Sequence, residues 1–249
     1  MPTYLITGSG KGIGLGLAEA LLRDPQNYVI ATTRNPASSP GLQQLSDQHP
    51  KERLVILPLD VTVPEQMSSL AKEVEKLLPN GLDYFIHNAG IWAQQFTPVE
   101  ELDVDQFEEE VKFYTVPVVH LLREFKPLIL QSSEKKVIFV STNLASFTLA
   151  TLLPDLGIPY CVGKAAQNML ARKWGIVNKS LGITTIMLHP GWVDTFLGQV
   201  SIEYMRAKNP SAKPIPVEES VSGMMKVIHS VKLEDAATFW SYTGEILPW

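Results

Sequence analysis

Tyr160 and Lys164 are the two side chains whose types and spacing most directly suggest chemistry. Four residues apart in a stretch that reads as helix, they share one face and lie one turn apart. A phenol has a reference pKa near 10 and is a poor proton-transfer partner at neutral pH, but a neighbouring ammonium stabilises the phenolate and lowers that value. Such a pair can act as general acid toward a carbonyl oxygen or as general base toward an alcohol. The same spacing also arises between two ordinary surface neighbours, so the pair gains meaning only from a second site in the same chain.

The second site is the run Thr7-Gly8-Ser9-Gly10-Lys11-Gly12-Ile13-Gly14, between a short apolar run and a helical stretch. Glycines let a backbone turn tightly and approach a pyrophosphate, and the N-terminus of the following helix favours that anion. The strict G-x-G-x-x-G fingerprint is absent; the spacing is Gly8-x-x-x-Gly12-x-Gly14. A site for NAD usually has an acid at the end of the second strand for the ribose 2′-hydroxyl. Here Thr32-Thr33 runs into Arg34, and Lys11 sits in the turn. Two cations there suit a 2′-phosphate, so the expected cofactor is NADP(H). Taken singly, each is equally an ordinary solvated charge.

Short apolar runs alternate with longer helical patterns along the chain. Strands are expected at Thr3–Thr7, Tyr28–Thr33, Leu54–Leu57, Tyr84–His87, Val137–Val140, Thr184–Leu188 and Thr238–Tyr242. Helices are expected from Leu15 to Leu22, from Pro64 to about Leu78, over Val104–Leu130 with a kink at Pro117, over Tyr160–Ser180 and over Val217–Val231. Residues 35–41 and Lys208–Pro216 read as surface loops. This alternation implies βαβ units, hence a single-domain α/β fold over residues 1–249: a doubly wound, mostly parallel seven-stranded sheet of Rossmann type, with helices on both faces. In such sheets ligands bind beyond the carboxyl ends of the strands. The residues found there are Asp60-Val61, Asn88-Ala89-Gly90, Ser141-Thr142 and His189-Pro190-Gly191-Trp192-Val193-Asp194-Thr195.

Taken in order, Thr7-Gly8-x-x-x-Gly12-Ile13-Gly14, Asp60-Val61, Asn88-Ala89-Gly90, Tyr160-x-x-x-Lys164 and Pro190-Gly191-x-Val193-x-Thr195 resemble the short-chain dehydrogenase/reductase family over essentially the whole chain. His189 to Val193 and the ending Tyr242–Trp249 further resemble its carbonyl-reductase branch, which includes C-factor-like and sniffer-like proteins. The resemblance implies that Gly8, Gly12 and Gly14 cradle the pyrophosphate, with Ser9 and Ile13 in the same turn, and that Asp60 and Val61 contact the adenine. It implies that Asn88, Ala89 and Gly90 pack along the adenosine side, and that Pro190, Gly191, Val193 and Thr195 lie at the nicotinamide, the last two holding its carboxamide. Tyr160 would be the acid/base and Lys164 would bind the nicotinamide ribose. Lys11 and Arg34 match positions used by NADP-preferring members.

The chain departs from that pattern at three places. The hydroxyl pair after the fifth strand is Ser141-Thr142 and lies 18 residues before Tyr160, further than is usual; Ser146, 14 residues before it, is the rival to Thr142 as substrate-orienting hydroxyl. Thr142 is preferred because the end of a strand fixes geometry better than a loop. Tyr114 stands where an asparagine supporting a proton relay to the lysine is usual, so either its hydroxyl or a water substitutes, or the relay is impaired. His87 replaces an asparagine before Asn88 and reads as a packed, hydrogen-bonded histidine. Residues 144–159 and 196–216 are the expected substrate loops. Trp192, Phe196, Leu197 and Leu152–Pro159 could line an apolar pocket, and core packing is an equal reading for Trp192.

Composition sets the remaining bounds. Of 249 residues 45% are hydrophobic, and 21 Lys and Arg against 26 Asp and Glu leave a net charge of −5. That excludes disorder and argues against nucleic acid as a partner. The single cysteine, Cys161, excludes an internal disulfide. No leader and no membrane-length apolar run is visible, so a soluble cytoplasmic protein is expected, and the dispersed histidines give no metal signal. The expected function is NADPH-dependent reduction of a ketone or aldehyde. An NADP(H)-binding regulator with little catalysis, or an alcohol dehydrogenase working oxidatively, stay open. A homodimer through Val104–Leu130 is one reading of that long helix and an exposed face the other.

Overall fold

Strand residues here point alternately to two buried faces, and that alternation fixes the layers. The computed structural model describes residues 1–249. Its strands are Thr3–Ile6 (β1), Tyr28–Thr33 (β2), Leu54–Pro58 (β3), Tyr84–His87 (β4), Lys136–Val140 (β5), Thr184–His189 (β6) and Thr238–Ser241 (β7). They form one seven-stranded sheet in the order β3-β2-β1-β4-β5-β6-β7. Every pairing is parallel, including β6 with β7, so the sheet is wholly rather than mostly parallel.

The helices are Gly12–Leu22 (α1), Pro40–Gln48 (α2), Pro64–Leu77 (α3), Val104–Gln131 (α4), Ile158–Asn178 (α5), Phe196–Gln199 (α6), Ile202–Lys208 (α7) and Val217–Ser230 (α8). Leu5, Ile30, Phe85, Val137, Phe139, Met187 and Phe239 pack with α3, α4 and α5 through residues such as Met67, Phe125 and Ala171. The alternate residues Tyr4, Ile6, Val29, Ala31, Ile86, Ile138, Ile186 and Leu188 pack with α1, α2 and α8 through Leu17, Leu42 and Met224. Both faces are covered, which is why the strands read as continuous apolar runs. No helix is long and apolar enough to cross a membrane.

Two expected loops contain helix. The run 35–41 forms a short 3-10 turn, Pro36–Ser38, and then enters α2 at Pro40. Proline suits a first helical turn, and Leu42 and Leu45, three apart, are both buried. The expected loop from Lys208 begins as the last residue of α7, within a substrate segment that also holds α6. Helix α4 runs unbroken through both Pro117 and Pro127.

The order of strands reverses between β1 and β4, and one side chain ties their ends together. The Thr7 hydroxyl, fully buried, accepts from the backbone N–H groups of Asn88 (3.0 Å) and Ala89 (3.1 Å). Its own proton is then free for His87 Nδ1, 3.1 Å away, which makes His87 the neutral tautomer with Nδ1 as acceptor. Burial, with the Lys164 charge adding to it, pushes the His87 pKa down to about 3. The Asn88 side chain closes the junction by donating to the carbonyls of Thr7 (3.0 Å) and Gly8 (3.1 Å).

Thr7→Val, which keeps the shape and removes the hydroxyl, should therefore cost at least about 2 kcal/mol, because it strands two buried N–H groups. Urea unfolding measures this, and a loss below about 0.5 kcal/mol, the scatter of a neutral surface change, would contradict the assignment.

Candidate active site

The carboxyl ends of the strands open onto a cavity of about 1030 Å³. Its wall brings together Gly8, Lys11, Gly12, Ile13, Arg34, Asp60, Val61, Asn88, Ala89, Gly90, Thr142, Tyr160, Lys164, Pro190, Gly191, Val193 and Thr195. Of the residues singled out from the sequence, Ser9 and Gly14 lie behind that wall. Ser9 donates from its hydroxyl to the Ile6 carbonyl (3.0 Å) and from its amide to the Thr32 carbonyl (2.7 Å), so its donors pin the turn to β1 and β2 and none is left for a ligand. At Gly14 an added Cβ would fall 2.4 Å from the Gly8 carbonyl oxygen and 2.5 Å from Asn88 Nδ2, so this glycine lets α1 approach the turn.

At one end of the cavity Gly8 turns with φ +71, and a Cβ there would meet Ala89 Cα at 2.8 Å. Lys11 precedes the first turn of α1, with its Nζ 4.5 Å from the centre of the Phe196 ring. Arg34 is exposed at the end of β2. Asp60 is partly buried, which raises its pKa, but the hydroxyl and amide of Thr62 donate to it at 2.7 and 2.9 Å and Arg34 adds positive charge, so the carboxyl ends below its usual value. Glycine backbone, a helix N-terminus and two cations make this end fit a dinucleotide with a phosphorylated ribose.

The other end carries the hydroxyl groups. Tyr160 lies in the first turn of α5, and its phenol shares the cavity wall with the Thr142 hydroxyl, which accepts from the Leu144 amide (3.2 Å). Ser146, the rival hydroxyl, is buried away from the cavity wall and accepts from the Leu149 amide (3.2 Å). The Trp92 ring stacks on Tyr160 with centroids 5.0 Å apart, and Tyr114 meets it edge-on at 5.7 Å. Burial pushes the Tyr160 phenol well above its usual value, the neighbouring Cys161 adds to this, and the nearby Thr142 hydroxyl recovers only part. Cys161 donates to the Leu156 carbonyl (3.2 Å), and burial pushes its thiol up to about 11, which leaves it unreactive.

Lys164 follows Tyr160 by one turn of α5, and burial dominates the environment of the phenol. The two do share a helix face, but the lysine chain turns inward. Its Nζ donates to the Val140 carbonyl (2.7 Å) and to Gln167 Oε1 (3.3 Å), and it lies 4.5 Å from the centre of the Tyr114 ring. No carboxylate reaches it, and burial pulls its pKa down to about 7. The Tyr114 hydroxyl is spent elsewhere: it accepts from the Ile91 amide (2.8 Å) and donates to the Ile91 carbonyl. It therefore does not take the place of a relay to Lys164. Room for the Tyr114 ring comes from Gly163, where a Cβ would fall 2.6 Å from Tyr114 Cδ2.

Around the hydroxyl pair the wall is apolar. Trp92, Leu144, Leu153, Leu156, Trp192, Phe196, Leu197 and Met205 line it, whereas Leu152 points to solvent. Trp192 is a wall residue, held by donation from Nε1 to the Gly198 carbonyl (2.9 Å). Glu110 is a buried carboxyl that holds the segment carrying Trp92. It accepts from the Ala93 amide (3.2 Å), and burial keeps its pKa raised although the Ala93 and Gln94 amides oppose this. Sequence reasoning missed Trp92, Gln167 and Glu110. An acid on the buried face of α4 and a glutamine three residues after Lys164 were the available signals. No group of three or more His, Cys, Asp or Glu gathers to hold a metal.

Comparison with known proteins agrees with this geometry. The family model for short chain dehydrogenase matches residues 2–205. A short-chain dehydrogenase/reductase of Aspergillus aculeatus is 32% identical over 264 residues, covering 98% of each chain. The NADPH-bound carbonyl reductase from chicken fatty liver superposes with a TM-score of 0.88 at 29% identity, over 100% of this chain and 99% of that one. A carbonyl reductase from Pseudomonas aeruginosa in complex with NADP gives a TM-score of 0.82 at 31% identity, over the whole of both chains.

Burial of the Lys164 ammonium without a counter-charge has a consequence for stability. Between about pH 7 and its ordinary 10.5, the unfolded chain keeps a proton on Lys164 that the folded chain has released. Folding is therefore favoured as pH rises through that window and penalised in full below it. Lys164→Met should raise the melting temperature, and by more at pH 6 than at pH 9.5. An equal gain at both pH values, or a loss at pH 6, would contradict the buried charge.

Proposed function

The chain belongs to the short-chain dehydrogenase family, and on that footing we propose that it reduces ketones or aldehydes to alcohols with NADPH, residues 1–249 acting as one catalytic domain. The observation that carries this reading is the presence of Thr142, Tyr160 and Lys164 in the same cavity wall as the glycine turn, Lys11 and Arg34. When bound, NADPH supplies the hydride.

The protein's part is binding, orientation and one proton. Gly8, Gly12 and the α1 N-terminus would receive the pyrophosphate, Lys11 and Arg34 the 2′-phosphate, Asp60 and Val61 the adenine, Asn88 to Gly90 the adenosine side, and Pro190 to Thr195 the nicotinamide. Thr142 directs its hydroxyl at the substrate carbonyl oxygen and orients it. Tyr160 then gives that oxygen its proton. Trp92 and the leucine-rich wall exclude water, which strengthens both hydrogen bonds. A phenol held above its usual pKa is fully protonated at neutral pH. That is the protonation state that carbonyl reduction requires of its acid.

Two sets of variants test the reading. Tyr160→Phe should abolish NADPH-dependent reduction of a panel of aryl and alkyl ketones while NADPH still binds. Thr142→Ala should lower kcat about 10²–10³-fold, the usual cost of losing one preorganised donor, with Thr142→Ser retaining most of it and Ser146→Ala nearly all. Undiminished turnover in Tyr160→Phe, or a larger loss in Ser146→Ala than in Thr142→Ala, would defeat the mechanism. For the cofactor, replacing Lys11 and Arg34 with Ala should raise KM for NADPH at least about tenfold and leave that for NADH nearly unchanged, since each lost contact to a charged phosphate is worth roughly 1.5–3 kcal/mol. Equal losses with the two cofactors would remove the 2′-phosphate assignment.

A further inference from the structure

The seat of the Lys164 ammonium is made by residues outside the family motifs. Gln167, one helical turn after Lys164 on α5, is completely buried and lies outside the cavity wall. Its Oε1 accepts from Lys164 Nζ at 3.3 Å, while its Nε2 donates to the same Val140 carbonyl that the ammonium uses, at 3.4 and 2.7 Å respectively. Opposite, the Tyr114 ring presents its face 4.5 Å from Nζ and is fixed by its hydroxyl on Ile91 and by the gap at Gly163.

We propose that Gln167 is a positioning residue for Lys164: with the Val140 carbonyl and the Tyr114 ring it forms a berth of neutral dipoles that holds the ammonium in place and strengthens its hold on its proton.

The argument is one of desolvation. An ammonium removed from water without a counter-ion loses its proton unless dipoles replace the lost hydration. The titratable groups around this one supply none of the missing negative charge. His87, on β4, is a neutral acceptor of the Thr7 hydroxyl and its pKa lies near 3. His189, at the end of β6, is held neutral by burial, with a pKa near 4. Tyr114 and Tyr160 are raised and so uncharged. The Cys161 thiol is likewise neutral, and Glu110 on α4 acts on Tyr114, Tyr160 and Cys161 without reaching Lys164. The charge therefore depends on the Val140 carbonyl, the glutamine oxygen and the aromatic face. Of these, Gln167 is the one whose chemistry can be changed without moving the backbone.

The proposal rests on the proposed function only for its catalytic consequence, so the test has a readout free of turnover. The pH titration of Lys164 is followed by NMR of the ε-carbon in ¹³C-lysine-labelled protein, with Lys164→Met assigning the signal, in the presence and absence of NADPH. Gln167→Leu removes the acceptor and should move the Lys164 midpoint down by about one pH unit or more, a tenfold or larger loss of proton affinity. Gln167→Glu places a carboxylate of the same shape beside the ammonium and should move it up by a similar amount. If Gln167→Leu does not fold, Gln167→Met, unbranched and of similar length, carries the same expectation. Midpoints unchanged within about 0.2 unit, or moved in the same direction by both substitutions, would overturn the berth.

The upper-pH limb of ketone reduction should follow the same order, lowest for Gln167→Leu and highest for Gln167→Glu. A glutamine that merely packed would scale the rate equally at every pH. Absence of carbonyl turnover in the wild type would refute the proposed function, while the titration would still judge the berth.

Discussion

A cation taken out of water must be re-solvated by whatever the fold offers, and the catalytic end of this molecule is organised around that requirement. Lys164 is 4% exposed and has no carboxylate within reach. Its ammonium is satisfied by a strand-end carbonyl, a glutamine and an aromatic face. Each of these in turn needs a support. Val140 is the last residue of β5, Gln167 is held by its own donation to the Val140 carbonyl, and the Tyr114 ring depends on Gly163 and on the Ile91 backbone. The ring that seats Lys164 thereby also fixes the start of the segment that carries Trp92 against Tyr160. Orientation of the lysine and shape of the apolar wall are one packing problem.

The sheet makes this possible because its topology delivers the chemistry to one edge. The reversal of strand order between β1 and β4 leaves a crevice, and Thr7 closes its floor by holding the amides of Asn88 and Ala89. On one side of that floor the glycine turn and two cations await an anion. On the other, Thr142 follows the end of β5 and Tyr160 lies in the first turn of α5, so two hydroxyls share an apolar stretch of the wall. A protonated phenol beside a second hydroxyl in an apolar pocket has the groups needed to orient a carbonyl oxygen and give it a proton.

Much of this was legible in the sequence. Continuous apolar runs alternating with helical periods gave a doubly covered parallel sheet, and the carboxyl-edge rule pointed to Asp60, Val61, Asn88 to Gly90, Ser141, Thr142 and His189 to Thr195, all of which lie in the cavity wall. Ser9 and Gly14 lie within the glycine motif yet face inward, because a motif records spacing and not which way a hydrogen bond runs. The i, i+4 spacing of Tyr160 and Lys164 placed both on one wall of the cavity and did not reveal where the ammonium turns. A long flexible side chain can turn from its helical neighbour toward a better acceptor, and Val140 is distant in sequence. For the same reason Gln167, Trp92 and Glu110 escaped notice: each acts through a backbone group or ring that only the folded packing brings near. Helix α2 was missed because two buried leucines in nine mostly polar residues give a weak periodic signal beside prolines.

The most direct measurement of the central claim follows the hydrogen itself. The wild-type protein is given an apolar ketone and NADPH deuterated at nicotinamide C4, each of the two C4 positions labelled in turn, and the alcohol is analysed by mass spectrometry. Carbonyl reduction predicts one deuterium on the carbinol carbon from one labelled position and none from the other, with the hydroxyl proton drawn from solvent. A product without deuterium from either position, or NADPH that binds while no alcohol forms with any carbonyl compound, would contradict it.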